Sequence, residues 1–144
     1  MTRPTPELLD TFRHFQAIPT RWADNDVYGH VNNVVYYSFF DTVVNQYLIE
    51  QRALDFEKST VIGLVVETQC QYFAPISFPD VVHAGLRVAK LGNSSVRYEI
   101  GLFRNEEKTA SAQGHFVHVY VDRASRRSTA VPADMRAALQ KLLI

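Results

Sequence analysis

A second cysteine is missing. With Cys70 alone among 144 residues, no intrachain disulfide can form, and a reducing compartment, the cytoplasm, is the expectation. An excess of either charge is missing too: 15 Lys and Arg stand against 15 Asp and Glu, so composition offers no attraction to phosphate backbones or anionic membrane surfaces. No apolar run approaches the roughly 18 residues of a membrane-spanning helix, because Ser38, Asp41 and Asn45 interrupt the most hydrophobic stretch. The opening Met-Thr-Arg-Pro-Thr-Pro-Glu lacks the apolar core of a secretory signal. Neither a G-x-S-x-G elbow, a phosphate-binding P-loop nor a dinucleotide glycine fingerprint occurs, and Cys70 has no histidine near it in the sequence. Serine, cysteine and phosphate-loop chemistries are set aside. The partners to expect are small molecules and other protein subunits, not nucleic acid or membrane.

No repeat or Gly/Ser linker divides the chain, so residues 1–144 are read as one domain. Residues 12–20 alternate around Phe15 and Ala17 and predict a strand. Residues 21–33 form a polar loop, and the segment after it predicts a helix running to about Arg52, capped by Asn32 or Asn33. Tyr36, Phe40, Val43, Val44 and Tyr47 share one helical face, but Val35, Phe39, Leu48 and Ile49 carry apolar surface most of the way round, which predicts a helix buried on nearly every side. After Gly63 the period becomes two. Leu64, Val66, Thr68, Cys70 and Tyr72 would share one face of a strand, with Val65, Glu67, Gln69, Gln71 and Phe73 on the other. Strands over 81–91 and 95–104 flank the turn Gly92-Asn93-Ser94; a third spans 110–121, and Pro132 opens a short terminal helix. The class is α+β: one strand, a long central helix, four more strands forming an antiparallel sheet curled around that helix, and a short C-terminal helix. A single such layer leaves edge strands open, which predicts a homodimer or a homotetramer.

The loop at 21–33 concentrates the chemistry. Asp24 and Asp26, Gly29 and His30 precede a helix N-terminus, whose free N–H groups and dipole stabilise negative charge. A carboxylate beside such a terminus can attack, or activate water against, a carbonyl whose oxyanion the amides hold, which points to acyl transfer or hydrolysis. The spacing is equally that of turn and capping residues. Asp24, Asp26 and His30 lack a fourth donor, and His115 and His118, three apart in a strand, point to opposite faces. No metal is expected.

The string Arg21-Trp22-Ala23-Asp24-Asn25-Asp26-Val27-Tyr28-Gly29-His30-Val31-Asn32-Asn33, followed by Tyr36 and Tyr37, resembles the motif of the hotdog-fold acyl-CoA thioesterases of the 4-hydroxybenzoyl-CoA thioesterase type. The resemblance extends more loosely through Tyr72-x-x-Pro75 and Val121-Asp122-Arg123. It implies a hotdog fold and an acyl-CoA hydrolase with no cofactor, CoA being part of the substrate. It puts the catalytic carboxylate, nucleophile or general base, on Asp26, with His30 orienting substrate or carboxylate. The carbonyl-polarising amide falls on Asn33 or a direct neighbour, and Gly29, Asn32 and Tyr36 fall among the substrate-binding positions. Many relatives carry a Glu and a nearby Arg in the second and third turns of the central helix, where this chain has Asp41 followed by Thr42, Val43, Val44 and Asn45. Arg123, Arg126 and Arg127 form either a CoA-phosphate contact or a solvated basic turn. Two alternatives keep the fold: a thioesterase acting on acyl-carrier protein, and a non-catalytic acyl-binding module.

Overall fold

Antiparallel pairing organises the chain, and the computed structural model describes residues 4–144. The elements are β1 (His14–Pro19), α1 (Asn33–Glu50), β2 (Val61–Tyr72), β3 (Val81–Leu91), β4 (Ser95–Arg104), β5 (Ala112–Asp122) and α2 (Ala133–Gln140). One five-stranded sheet in the order β1-β3-β4-β5-β2 wraps the long helix, the hotdog arrangement. Gly92-Asn93-Ser94 makes the β3–β4 turn where the sequence places it, closed by a hydrogen bond from Gly92 N–H to the Ser95 carbonyl.

Helix α1 begins where expected. The Asn32 side chain accepts from Val34 N–H at 3.1 Å, relieving one of the donors a helix start leaves free. Its buried residues are Tyr36, Phe39, Phe40, Val43, Val44, Tyr47 and Leu48. These meet the inward residues of the sheet, including Val82, Ala84, Leu86, Tyr98, Ile100, Leu102 and Phe116. The expectation of a helix buried on nearly every side is corrected: Val34, Ser38, Asp41, Thr42 and Ile49 form an exposed strip. The sheet curls around one side of α1, and among the described residues nothing covers the exposed strip.

Two strand faces also differ from their sequence patterns. In β1 the half-buried residues are His14, Gln16 and Ile18, while Phe15 and Ala17 face outward. His14 turns inward because its ring lies edge-on to Tyr47, with centroids 4.8 Å apart. In β2 a bulge at Val66 breaks the register against β5 between Val65 and Glu67. An inserted residue reverses every side chain beyond it. Thr68, Cys70 and Tyr72 therefore share the inner face with Val65 and Gly63, paired with Phe116, Gly114, Ala112, His118 and Tyr120, rather than with Leu64 and Val66. A second bulge, at Ala89 in β3, receives the C-terminal residues: Val88 N–H donates to the Leu142 carbonyl and Ile144 N–H to the Val88 carbonyl.

β2 is an edge strand, and its residues Leu64 to Gln69 are exposed. On the sheet's outer face, Arg87, Glu99, Arg97, His115 and Glu67 form a chain of ion pairs and hydrogen bonds crossing β3, β4, β5 and β2. Glu67 thus belongs to that outer network. His118 is on the inner face, as the three-residue spacing from His115 requires.

Candidate active site

The loop between β1 and α1 closes on itself by backbone pairing. Asp26 N–H donates to the His30 carbonyl at 2.8 Å, Asn32 N–H to the Asp24 carbonyl at 2.9 Å and Gly29 N–H to the Asp26 carbonyl at 3.1 Å. Asn25 and Val31 form an isolated bridge, so Asp26 lies opposite His30 and two residues from the pair that ends on the helix cap. Gly29 makes the return with φ +83°, in the left-handed region that favours glycine. The loop is anchored from outside by Val31 N–H to the Ile76 carbonyl at 2.7 Å, by Phe78 N–H to Asn25 Oδ1 at 3.0 Å, and by the Ser77 hydroxyl, which donates to the Gly29 carbonyl.

The two carboxylates separate cleanly. Asp24 is 2% exposed; its Oδ2 accepts from Arg21 N–H at 2.8 Å and its Oδ1 takes a fork from Arg21 Nε and Nη2 at 3.0 and 2.7 Å. Both oxygens are occupied in capping the single 3-10 turn Trp22–Asp24. Asp26 is half-buried, and among the described residues its carboxylate accepts only from Tyr28 N–H, at 2.8 Å to Oδ1. Its other oxygen is free. The N–H of Asn33, the first residue of α1, also finds no acceptor among the described residues, since Asn32 caps Val34 and its carbonyl takes Val35 N–H. A free carboxylate oxygen and a free helix-start amide on one short, internally bonded loop are the parts that water activation and oxyanion binding need.

A cleft of about 800 Å³ opens here, lined by Trp22, Asn25, Asp26, Val27, Tyr28, Gly29 and Asn32. Of the residues named from the sequence, Asp26, Gly29 and Asn32 line it. His30, next in the chain to Gly29, and Asn33, next to Asn32, are exposed but are not among the residues that line it. Tyr36 stands apart: it is 3% exposed, with its ring packed edge-on to Tyr72 at 4.9 Å and tilted against Phe39. It supports the helix start from within the core rather than opening into the cleft. The sequence reading passed over the apolar rim, Trp22 at 77%, Val27 at 94% and Tyr28 at 83% exposed. Three large apolar residues set within an otherwise polar loop were the signal available in the sequence. Cys70 carries no nucleophilic role: burial pushes its thiol up to about 11.

A family model described as the thioesterase-like superfamily matches residues 20–139. The chain belongs to the thioesterase-like superfamily. The PA5185 protein of Pseudomonas aeruginosa is 56% identical, with a TM-score of 0.94 over 97% of each chain. The PA2801 protein of the same organism, provisionally described as a thioesterase, is 32% identical with a TM-score of 0.81 over 88% of this chain and 98% of its own. The BH1999 gentisyl-coenzyme A thioesterase shares the fold, with a TM-score of 0.78 at 23% identity over 88% of this chain and 99% of its own. Membership of this superfamily agrees with the acyl-transfer chemistry read from the loop, and no helix among the described residues is long and apolar enough to cross a membrane.

Proposed function

We propose that this superfamily member hydrolyses acyl-CoA thioesters in the cytoplasm, working as a homodimer. The observation that carries the reading is the division between the two aspartates: Arg21 saturates Asp24, whereas Asp26 keeps an oxygen without a partner among the described residues, on the same loop that leads into an unbonded helix-start amide. In the general-base form, Asp26 takes a proton from water as the hydroxyl adds to the thioester carbonyl. The Asn33 N–H and the dipole of α1 hold the resulting oxyanion. Its collapse breaks the C–S bond, and the departing thiolate takes the proton, leaving a free acid and CoA. In the nucleophilic form, Asp26 itself adds to the carbonyl, the C–S bond breaks as the CoA thiolate departs, and water then cleaves the mixed anhydride to free acid and Asp26 carboxylate, the spare proton going to the thiolate. His30, exposed opposite Asp26, is assigned to orienting substrate, and the Trp22, Val27 and Tyr28 rim to receiving its apolar part.

The open edge of β2 supports the dimer. From Val61 to Gln71 it carries one charge, Glu67, and no proline, whereas open edges of stable monomers are blunted by charge, proline or a cover. A second copy pairing there extends the sheet and brings the bare strips of the two α1 helices together.

Release of free thiol from short, medium, long and aromatic acyl-CoAs tests the proposal, run beside Asp26→Asn at matched oligomeric state. Turnover that falls at least about a hundredfold in the variant is expected for loss of a general base. Equal rates would remove Asp26 from the mechanism, and no turnover on any CoA ester would overturn the substrate assignment.

A further inference from the structure

Asp26 is gripped at both ends of its main chain. Its N–H donates to the His30 carbonyl at 2.8 Å, and its carbonyl accepts from Gly29 N–H at 3.1 Å. Between the two grips lies one peptide unit, made of the Gly29 carbonyl and the His30 N–H. The His30 N–H has no acceptor among the described residues, and the Gly29 carbonyl has one donor, the hydroxyl of Ser77, 48 residues away along the chain. A Cβ at residue 29 would meet nothing within 4 Å, so the backbone at φ +83°, not lack of space, calls for glycine there. Glycine also resists rotation of the next peptide least. The orientation of this unit is therefore set from outside the loop, by that hydroxyl.

Ser77 is itself fixed to the end of the sheet. Its N–H donates to Asp80 Oδ2 at 3.0 Å, and its carbonyl accepts from Asp80 N–H at 2.8 Å. Asp80 immediately precedes β3, and its Oδ1 accepts from Asn105 Nδ2, just past β4, at 3.0 Å. Its carbonyl accepts both the N–H and the hydroxyl of Thr20, just past β1. On either side of Ser77, the carbonyl of fully buried Ile76 takes Val31 N–H, and Phe78 N–H meets Asn25 Oδ1. The main chain around Ser77 is thus bonded to all three strand ends, and its hydroxyl is offered to the most easily rotated peptide of the Asp26 loop.

We propose that Ser77 is a positioning residue for the hydrolysis assigned to Asp26: its hydroxyl locks the Gly29–His30 peptide, and through it both main-chain grips on Asp26. This rests on the acyl-CoA hydrolase reading above. Ser77 is not among the residues that line the cleft, so it acts on the carboxylate and not on the substrate. Without the hydroxyl the peptide turns, the bonds from Asp26 N–H and Gly29 N–H loosen together, and the carboxylate loses its fixed direction. Misplacing a catalytic group slows the chemical step and leaves binding almost as it was.

Ser77→Ala removes the hydroxyl and Ser77→Thr keeps it. At matched oligomeric state, Ser77→Ala is expected to lower kcat on acyl-CoA about five- to tenfold with KM within about twofold of wild type, and Ser77→Thr to restore most of kcat. An unchanged kcat, a rise in KM alone, or a Thr variant as slow as the Ala variant would overturn the proposal. A Ser77→Ala protein that does not fold would overturn it too, because the bond would then serve stability and not Asp26. Amide hydrogen exchange followed by NMR reads the same lock without substrate. The N–H groups of Asp26 and Gly29 should exchange at least about fivefold faster in Ser77→Ala and at the wild-type rate in Ser77→Thr, while Asn32 N–H, bonded to the Asp24 carbonyl, is unaffected. Equal acceleration at all three amides, which reports a loop loosened as a whole, counts against the proposal, as does no change at any of them. If wild-type protein cleaves no acyl-CoA, the hydrolase reading fails by itself, and the exchange pattern alone decides whether Ser77 holds the Gly29–His30 peptide.

Discussion

His118 ties stability to pH in a way a single substitution can isolate. Its imidazole is 5% exposed among Tyr98, Phe116 and Tyr120, and its Nε2 has no partner among the described residues. Burial disfavours the charged ring and lowers its pKa from 6.5 to about 4. The unfolded chain therefore takes up this proton at a higher pH than the folded chain. Above pH 6.5 the group is neutral in both states and contributes nothing; between 6.5 and about 4 stability falls as pH falls. At pH 5 the unfolded imidazole is almost wholly protonated and the folded one about one-tenth so, which removes about 2 kcal/mol; the full loss, below about pH 4, is about 3 kcal/mol. Phe has similar shape and no titrating group. Urea unfolding of wild type and His118→Phe, at pH 7.5 and pH 5 and equal protein concentration, should show wild type losing about 2 kcal/mol more than the variant over that interval. Because the carboxylates are common to both proteins, they cancel in the difference. Parallel losses in the two proteins would refute the assignment of a buried, neutral His118.

Asp24→Ala should cost about 2 kcal/mol and several degrees in melting temperature, because Arg21 N–H loses its acceptor and the 3-10 turn its cap. Exposed Arg21 adds little through its ion pair. Gly114→Ala should break the β2–β5 pairing, since a Cβ there would collide with the main chain at Gln69; lost hydrogen-exchange protection in both strands would report it. Val66→Lys, on an exposed edge residue, should yield a folded monomer by analytical ultracentrifugation, and an unchanged dimer would mean that β2 is not the interface.

Local chemistry made much of this protein legible from sequence. Asn32 caps α1 because its short side-chain oxygen, on an extended residue, reaches the free amide two residues on, a purely local geometry. Gly92-Asn93-Ser94 turns the chain as small turn-forming residues between two period-two segments do, closed by Gly92 N–H on the Ser95 carbonyl. The loop from Arg21 to Asn33 stood out as a candidate site through the carboxylates, glycine and histidine crowded before a helix start. What escaped the sequence depended on partners distant along the chain. Period two marks a strand but not which face turns inward once a bulge at Val66 inserts one residue, and β1 turned His14 inward to meet a tyrosine on α1. Apolar content told that α1 is buried, not that the sheet covers only one of its sides. The pair Asp24 and Asp26 looked equivalent as letters. The fold separated them by giving Arg21 to one and leaving the other an open oxygen, and whether a carboxylate is already satisfied is a property of three-dimensional neighbours alone.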